Sequence, residues 1–265
     1  MRNALLGGTI VALAAGVIGY FVVLRQSAFA AHALAHIGLP GATGAVLLGL
    51  SPVLGLGVFC VGGAILIAVL GQRASERDVV TGTVLAFATG LGLFFNSLAT
   101  KSSSTMTNVL FGNLLAITGE QLRVFAALLA VVALIVGVVY RPLLYSSINP
   151  AVARAKGIPV GTLSLVFMLL MGLTVTMAIQ AVGSLLLFAL LITPAATAIA
   201  LTPRPVLAMA ISTGLAVACV WLGLAASAMF NAPPSFLIVT IVTAVWLVVW
   251  ARGRGSNQGD TAPHC

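Results

Sequence analysis

Two histidines stand four residues apart in the stretch AHALAHIGLPG, residues 31–41: His32 and His36. On a helix, positions i and i+4 lie on one face, about 6 Å apart along the axis. The pair therefore points one way. Imidazole is the commonest protein ligand for zinc and related ions, and two on one helix face can share an ion. The alternative is a structural pair that hydrogen-bonds between helices, each bond worth roughly 1 kcal/mol. Pro40 and Gly41 follow at once. They can loosen a helix and leave backbone carbonyls free near the imidazoles. Hydrolytic chemistry lacks its parts. A zinc protease needs H-E-x-x-H, and the residue after His32 is Ala33. The chain's four acids, Glu76, Asp78, Glu120 and Asp260, sit in loops, at span ends or in the tail.

The elements that must hold this pair are set by composition. Of 265 residues, 61% are apolar and 6% charged, against about 25% charged in a soluble domain. Mean hydropathy is +1.20. Each long uncharged run is of the roughly 20 residues that cross a bilayer as a helix. The expected fold is all-α: a polytopic transmembrane bundle, residues 1–252 forming one membrane domain. Spans are expected at 4–24, 28–49, 53–70, 79–98, 120–140, 160–179, 183–201, 206–228 and 235–250. The break LSPVLG between the second and third is weak, so eight spans is the alternative to nine. If the second span starts near Ser27, His36 lies about 14 Å in, near the middle of a hydrocarbon layer about 30 Å thick. Ionisable residues at that depth usually face a bundle interior or a cavity. The apolar run at the start of the chain is too long for a signal peptide and reads as the first span.

Charge serves topology. The formal net charge is +8, but the basic residues are scattered singly between spans, so nucleic acid is not an expected partner. If 141–159 is cytoplasmic, the inside receives Arg25, Arg73, Arg77, Arg141, Arg154, Lys156, Arg204, Arg252 and Arg254, and the outside Arg2, Lys101 and Arg123. That bias puts the N-terminus outside and the C-terminus inside. The tail 253–265 is polar and glycine-rich, and disorder is expected there. Cys60, Cys219 and Cys265 form no C-x-x-C pair, so neither disulfides nor a thiolate site is indicated.

Two connections are longer than turns. The outer segment 99–119 starts polar and ends apolar, as a surface or re-entrant helix would. The inner segment 141–159, RPLLYSSINPAVARAKGIP, carries a short helix signal. Asn149 can cap it, Pro150 suits its first turn and Gly157 its end. The chain has no G-x-x-x-x-G-K-[ST], so it does not bind ATP by a P-loop.

In order and spacing, GYFVVLRQSAFAAHALAHIGLPG, NVLFGNLLAI, INPAVARAKGIPV, GSLLLFALLITPAATA and LGLAASAMFNAPPSFLIV resemble the membrane subunit of ATP-binding-cassette importers for zinc, manganese and related divalent metals. The likeness covers nearly the whole chain. It implies a permease that is not itself an enzyme and has no permanently bound cofactor. It implies a divalent metal cargo, with zinc ahead of manganese or iron, and a location in the cell membrane of a prokaryote. The implied partners are a cytoplasmic ATPase, an extracytoplasmic metal-binding solute-binding protein and a second copy of the chain. In the family, G-D-A-L-S-H-A-x-L-P-G places a metal-contacting aspartate and histidine where this chain has His32 and His36. A further family aspartate falls on Asn231. The family motif D-P-x-x-A-x-x-x-G falls on Asn149, Pro150, Ala153 and Gly157, with Arg154 inside it. This implies the coupling helix that docks on the ATPase. The proline-bearing LLITPAATA, 190–198, reads mainly as close packing of small residues. A secondary metal carrier and a metal-dependent membrane enzyme remain the alternative classes.

Overall fold

The computed structural model describes residues 2–71, 74–98, 107, 109–230 and 232–257. The helices are α1 (Arg2–Leu24), α2 (Ala28–Leu47), α3 (Pro52–Leu70), α4 (Ala74–Leu98), α5 (Gly119–Ile148), the short α6 (Pro150–Ala155), α7 (Val160–Val182), α8 (Ser184–Leu201), α9 (Pro205–Phe230) and α10 (Pro234–Asn257). Among the described residues there is no strand. Seven of these helices (α1, α3, α4, α5, α7, α9 and α10) are long and apolar enough to cross a membrane by length and composition. The other two long ones are α2, diluted by two histidines, three glycines and a proline, and α8, whose apolar part Leu186–Leu201 is shorter.

The bundle has a centre and two flanks. In the most apolar windows of α1 and α7, 67% and 72% of residues are buried, against 17% in α4, α5 and α10. On one side α2 packs against α3 and α4, with α3 also against α7. On the other, α8, α9 and α10 pack together and α1 lies against α8 and α9. α5 leans on α1 and α7. Exposed residues such as Val58, Phe87, Leu134 and Val138 make the outer surface apolar, as a lipid-facing surface must be.

Contacts sort the two ends of the bundle. At one end the Asn3 amide donates to the Ile117 carbonyl (3.4 Å) and the Ser235 hydroxyl to Phe111 (3.2 Å). At the other, Arg25 reaches Ser146, Ser147 and Ser164. Arg25, Arg154 and Lys156 thus share one end, while Arg2 and Arg123 belong to the opposite one.

The structure refines these expectations in detail. The break at LSPVLG is a full one, separating α2 from α3: Gly49 takes φ 70°, Ser51 stands at the N-cap and Pro52 opens α3. The inner connection begins later than 141, because α5 runs through Pro142 to Ile148. Pro142 removes one helical hydrogen bond, but Leu143 and Ser146 beyond it are buried and hold the last turns to the bundle. In the outer segment, the described part includes a 3₁₀ turn, Leu114–Ala116, capped by Asn113 (3.2 Å to the Ala116 N–H). Its polar start, 99–106, lies outside the described residues, as do Arg73 and Asn231. α10 continues to Asn257, and the rest of the expected tail, 258–265, is also outside them.

α2 and α3 cross backbone to backbone. A Cβ on Gly55 would strike the carbonyl of Gly41 and come within 2.6 Å of the Ala45 Cβ, while one on Gly62 would meet nothing within 4 Å. Overpacking of this kind costs about 1–3 kcal/mol. Gly55→Val is therefore expected to lower the melting temperature of the detergent-solubilised chain by several degrees, and Gly62→Val to leave it unchanged. Equal effects of the two would mean that the crossing is not tight.

Candidate functional site

His32 and His36 lie on one strip of α2, as their spacing requires. Their ring centroids are 4.7 Å apart, with the planes at 73°. The ring of Phe188, on α8, stands edge-on to His32 at 5.5 Å. Both imidazoles are partly exposed, and so is Phe29 one turn earlier. Beyond them, Ile37 to Thr43 are all buried. The strip is therefore open at the histidines and closed above them.

The opposite side of α2 is sealed. The Cys60 thiol donates to the Leu34 carbonyl (3.5 Å), and Gly38 is packed against Ile179, Cys60 and Leu56. α2 stays helical through Pro40. Proline has no N–H, so the carbonyl of His36, four residues earlier, loses its helical donor. The two imidazoles are on the accessible side, whereas Pro40 is buried, its ring close to Gly92 of α4. With nitrogen-to-zinc bonds of about 2 Å, each ring centre would stand about 3 Å from a shared ion. Two such rings can stand up to about 6 Å apart, so a 4.7 Å separation is within the range for one shared ion. Among the described residues no cluster of three or more histidine, cysteine or acidic side chains occurs.

The second set of expected residues builds α6, at the Arg25 end. The Asn149 side chain accepts from the Val152 N–H (3.1 Å), and Pro150 fills the first position. Gly157 ends it at φ 76°. The Gly157 N–H bonds to Arg154 (3.0 Å) and the Ile158 N–H to Ala153 (3.1 Å), the paired closure expected of a left-handed C-terminal glycine. Ala153 is the buried residue of this helix, while Val152, Arg154 and Lys156 face outward. The Lys156 ammonium lies 5.5 Å above the exposed Tyr145 ring. The structure keeps the two sets apart: α2 packs on α3, α4, α7 and α8, and α6 on α5 and α7. Phe188 was not singled out from the sequence, because nothing local links it to His32.

Comparisons with known proteins agree over nearly the whole length. The family described as ABC 3 transport family matches residues 1–253. The manganese transport system membrane protein MntC of Listeria innocua is 32% identical over 252 residues, 94% of this chain and 89% of that protein. The manganese import system permease protein ScaB of Streptococcus gordonii is 30% identical over 249 residues, again 94% and 89%. Among solved structures, PsaBC from Streptococcus pneumoniae in complex with Fab superposes with a TM-score of 0.83 at 30% identity, covering 94% of this chain and 90% of that one.

The caps of α6 give a direct expectation. A branched side chain in the left-handed region costs about 1–2 kcal/mol, and loss of an N-cap side chain about 1 kcal/mol. Gly157→Val and Asn149→Ala should each speed hydrogen exchange of the amides of 152–158 by about tenfold while exchange in α7 is unchanged. Exchange that stays at the wild-type rate would show that α6 is held by its neighbours rather than by its caps.

Proposed function

The chain belongs to the ABC 3 transport family, and from that premise we propose that it is the membrane-spanning permease of an importer for a divalent transition metal, zinc first. The observation that carries the choice of cargo is the histidine pair on the open strip of α2. Imidazole donors suit zinc, whereas manganese prefers oxygen-rich shells. Manganese is the second reading, and the names of the two relatives favour it.

In this reading the Arg25 end is cytoplasmic, with the N-terminus outside and the C-terminus inside. A separate ATPase binds beneath α6, where Asn149, Pro150, Ala153, Arg154 and Gly157 shape the docking helix. The exposed side chains of Tyr145, Ile148 and Val152 beside it offer apolar contact area. A solute-binding protein delivers the ion from outside. Two copies of the chain form the transporter, with the open strips of both α2 helices facing the twofold axis, where four neutral imidazoles can make a tetrahedral nitrogen set. Transport is by alternating access: ATP binding and hydrolysis on the partner move the inner helix ends, and the histidine site changes the side it faces. No bond of the cargo changes.

Uptake of zinc and manganese, measured in cells lacking other importers and with membrane levels matched, tests the cargo assignment. His36→Ala should reduce uptake to background. His32→Asp should retain uptake and shift preference toward manganese. Undiminished zinc uptake by the His32→Ala/His36→Ala variant would make the pair structural.

A further inference from the structure

Arg25 is counted above only as a topology signal, yet its side chain turns into the bundle. It is partly buried. Its Nε–H donates to the Ser147 hydroxyl (2.8 Å), one terminal nitrogen to Ser146 (2.6 Å) and the other to Ser164 (3.4 Å). The guanidinium also stacks 5.0 Å from the Phe167 ring centre. The hydroxyl directions are consistent: Ser146 and Ser147 both donate to the Leu143 carbonyl (3.0 and 2.6 Å), leaving their lone pairs for the arginine. One planar fork thus joins the last turn of α5 to the first turns of α7.

Those two places are the flanks of α6. Ser146 and Ser147 precede its cap, Asn149, by three and two residues, and Ser164 lies seven residues after Gly157. At the other end of the side chain, the Arg25 backbone closes α1 and leads into α2. The junction is stiff. Gln26, not a glycine, is held at φ 53°. The Gln26 N–H bonds to Val23 (3.1 Å) and the Ser27 N–H to Val22 (2.9 Å), and the buried Ser27 hydroxyl donates to the Arg25 carbonyl (3.3 Å). A non-glycine residue in the left-handed region is strained and persists where the surroundings hold it. His32 follows Arg25 by seven residues and lies little more than one turn into α2.

We propose that Arg25 is the positioning residue that carries movement of the α6 flanks to the base of α2, and so ties the position of the ATPase-docking helix to the histidine strip. This rests on the permease reading above. Coupling of this kind needs a contiguous physical connection between two elements that rock, and the fork supplies one. Lysine cannot replace it, because an ammonium is a point charge without the planar fork that bonds to two helices at once.

The test uses the complete transporter in proteoliposomes: permease, ATPase and metal-loaded solute-binding protein, with metal uptake and ATP hydrolysis measured together. Arg25→Ala and the Ser146→Ala/Ser147→Ala pair should each lower the metal moved per ATP by about tenfold. Assembly with the ATPase and basal ATP hydrolysis, whose chemistry lies on the other subunit, should be retained. Arg25→Lys should not restore the ratio. Adding Arg25→Ala to the serine pair should cause no further loss. An unchanged ratio in the serine pair, a full ratio in Arg25→Lys, parallel falls in uptake and hydrolysis, or losses that multiply would each overturn the proposal. If Arg25→Ala does not reach the membrane, the serine pair decides alone. Wild-type uptake that proceeds without the ATPase would instead overturn the permease reading, and is seen before any variant is compared.

Discussion

Inside a bilayer the backbone must satisfy its own hydrogen bonds, and α2 presses on that constraint beside two imidazoles. Pro40 removes a donor in the middle of the helix and leaves the His36 carbonyl without its usual partner. Two imidazoles sit on the same strip. Such a segment facing lipid on all sides would be costly. It is tolerated because α3, α4 and α7 enclose α2 and because Gly41 and Gly55 let two backbones touch. The enclosure is complete from Ile37 to Thr43 and open at His32 and His36. The same packing that accommodates the proline leaves the two imidazoles at one opening.

The donor set also bears on how long an ion stays. Neutral imidazoles leave the full charge of a divalent cation uncompensated, whereas an aspartate at His32, as in the family motif, would neutralise part of it. In a low-dielectric interior that difference is large. A nitrogen-only site gains selectivity from ligand type and gives up electrostatic retention, which suits an ion that must leave again.

The features legible in the sequence are those whose chemistry is local. Asn149, Pro150 and Gly157 announce α6 because a cap, a fixed φ and a left-handed end each act within a few residues. The break at LSPVLG is weak in the sequence, and the structure shows it as a full one, with Pro52 opening α3. The histidine strip follows from helical spacing alone. The features not legible depend on distant partners. The span expected at 120–140 runs further, because the buried Leu143 and the serines held by Arg25 carry α5 to Ile148. Phe188 comes to His32 from more than 150 residues away. Arg25 looks like one more inner cation until the fold brings it three hydroxyls and a ring.

The central claim is that the imidazoles of α2 hold the ion during passage. X-ray absorption at the zinc edge of the purified, zinc-loaded transporter reads the ligand atoms directly. The account requires a first shell of nitrogen at about 2.0–2.1 Å with the outer-shell scattering of imidazole rings, lost when His32 and His36 are both alanine. A shell of oxygen alone in the wild-type protein, or an imidazole signal that survives the double substitution, would contradict it.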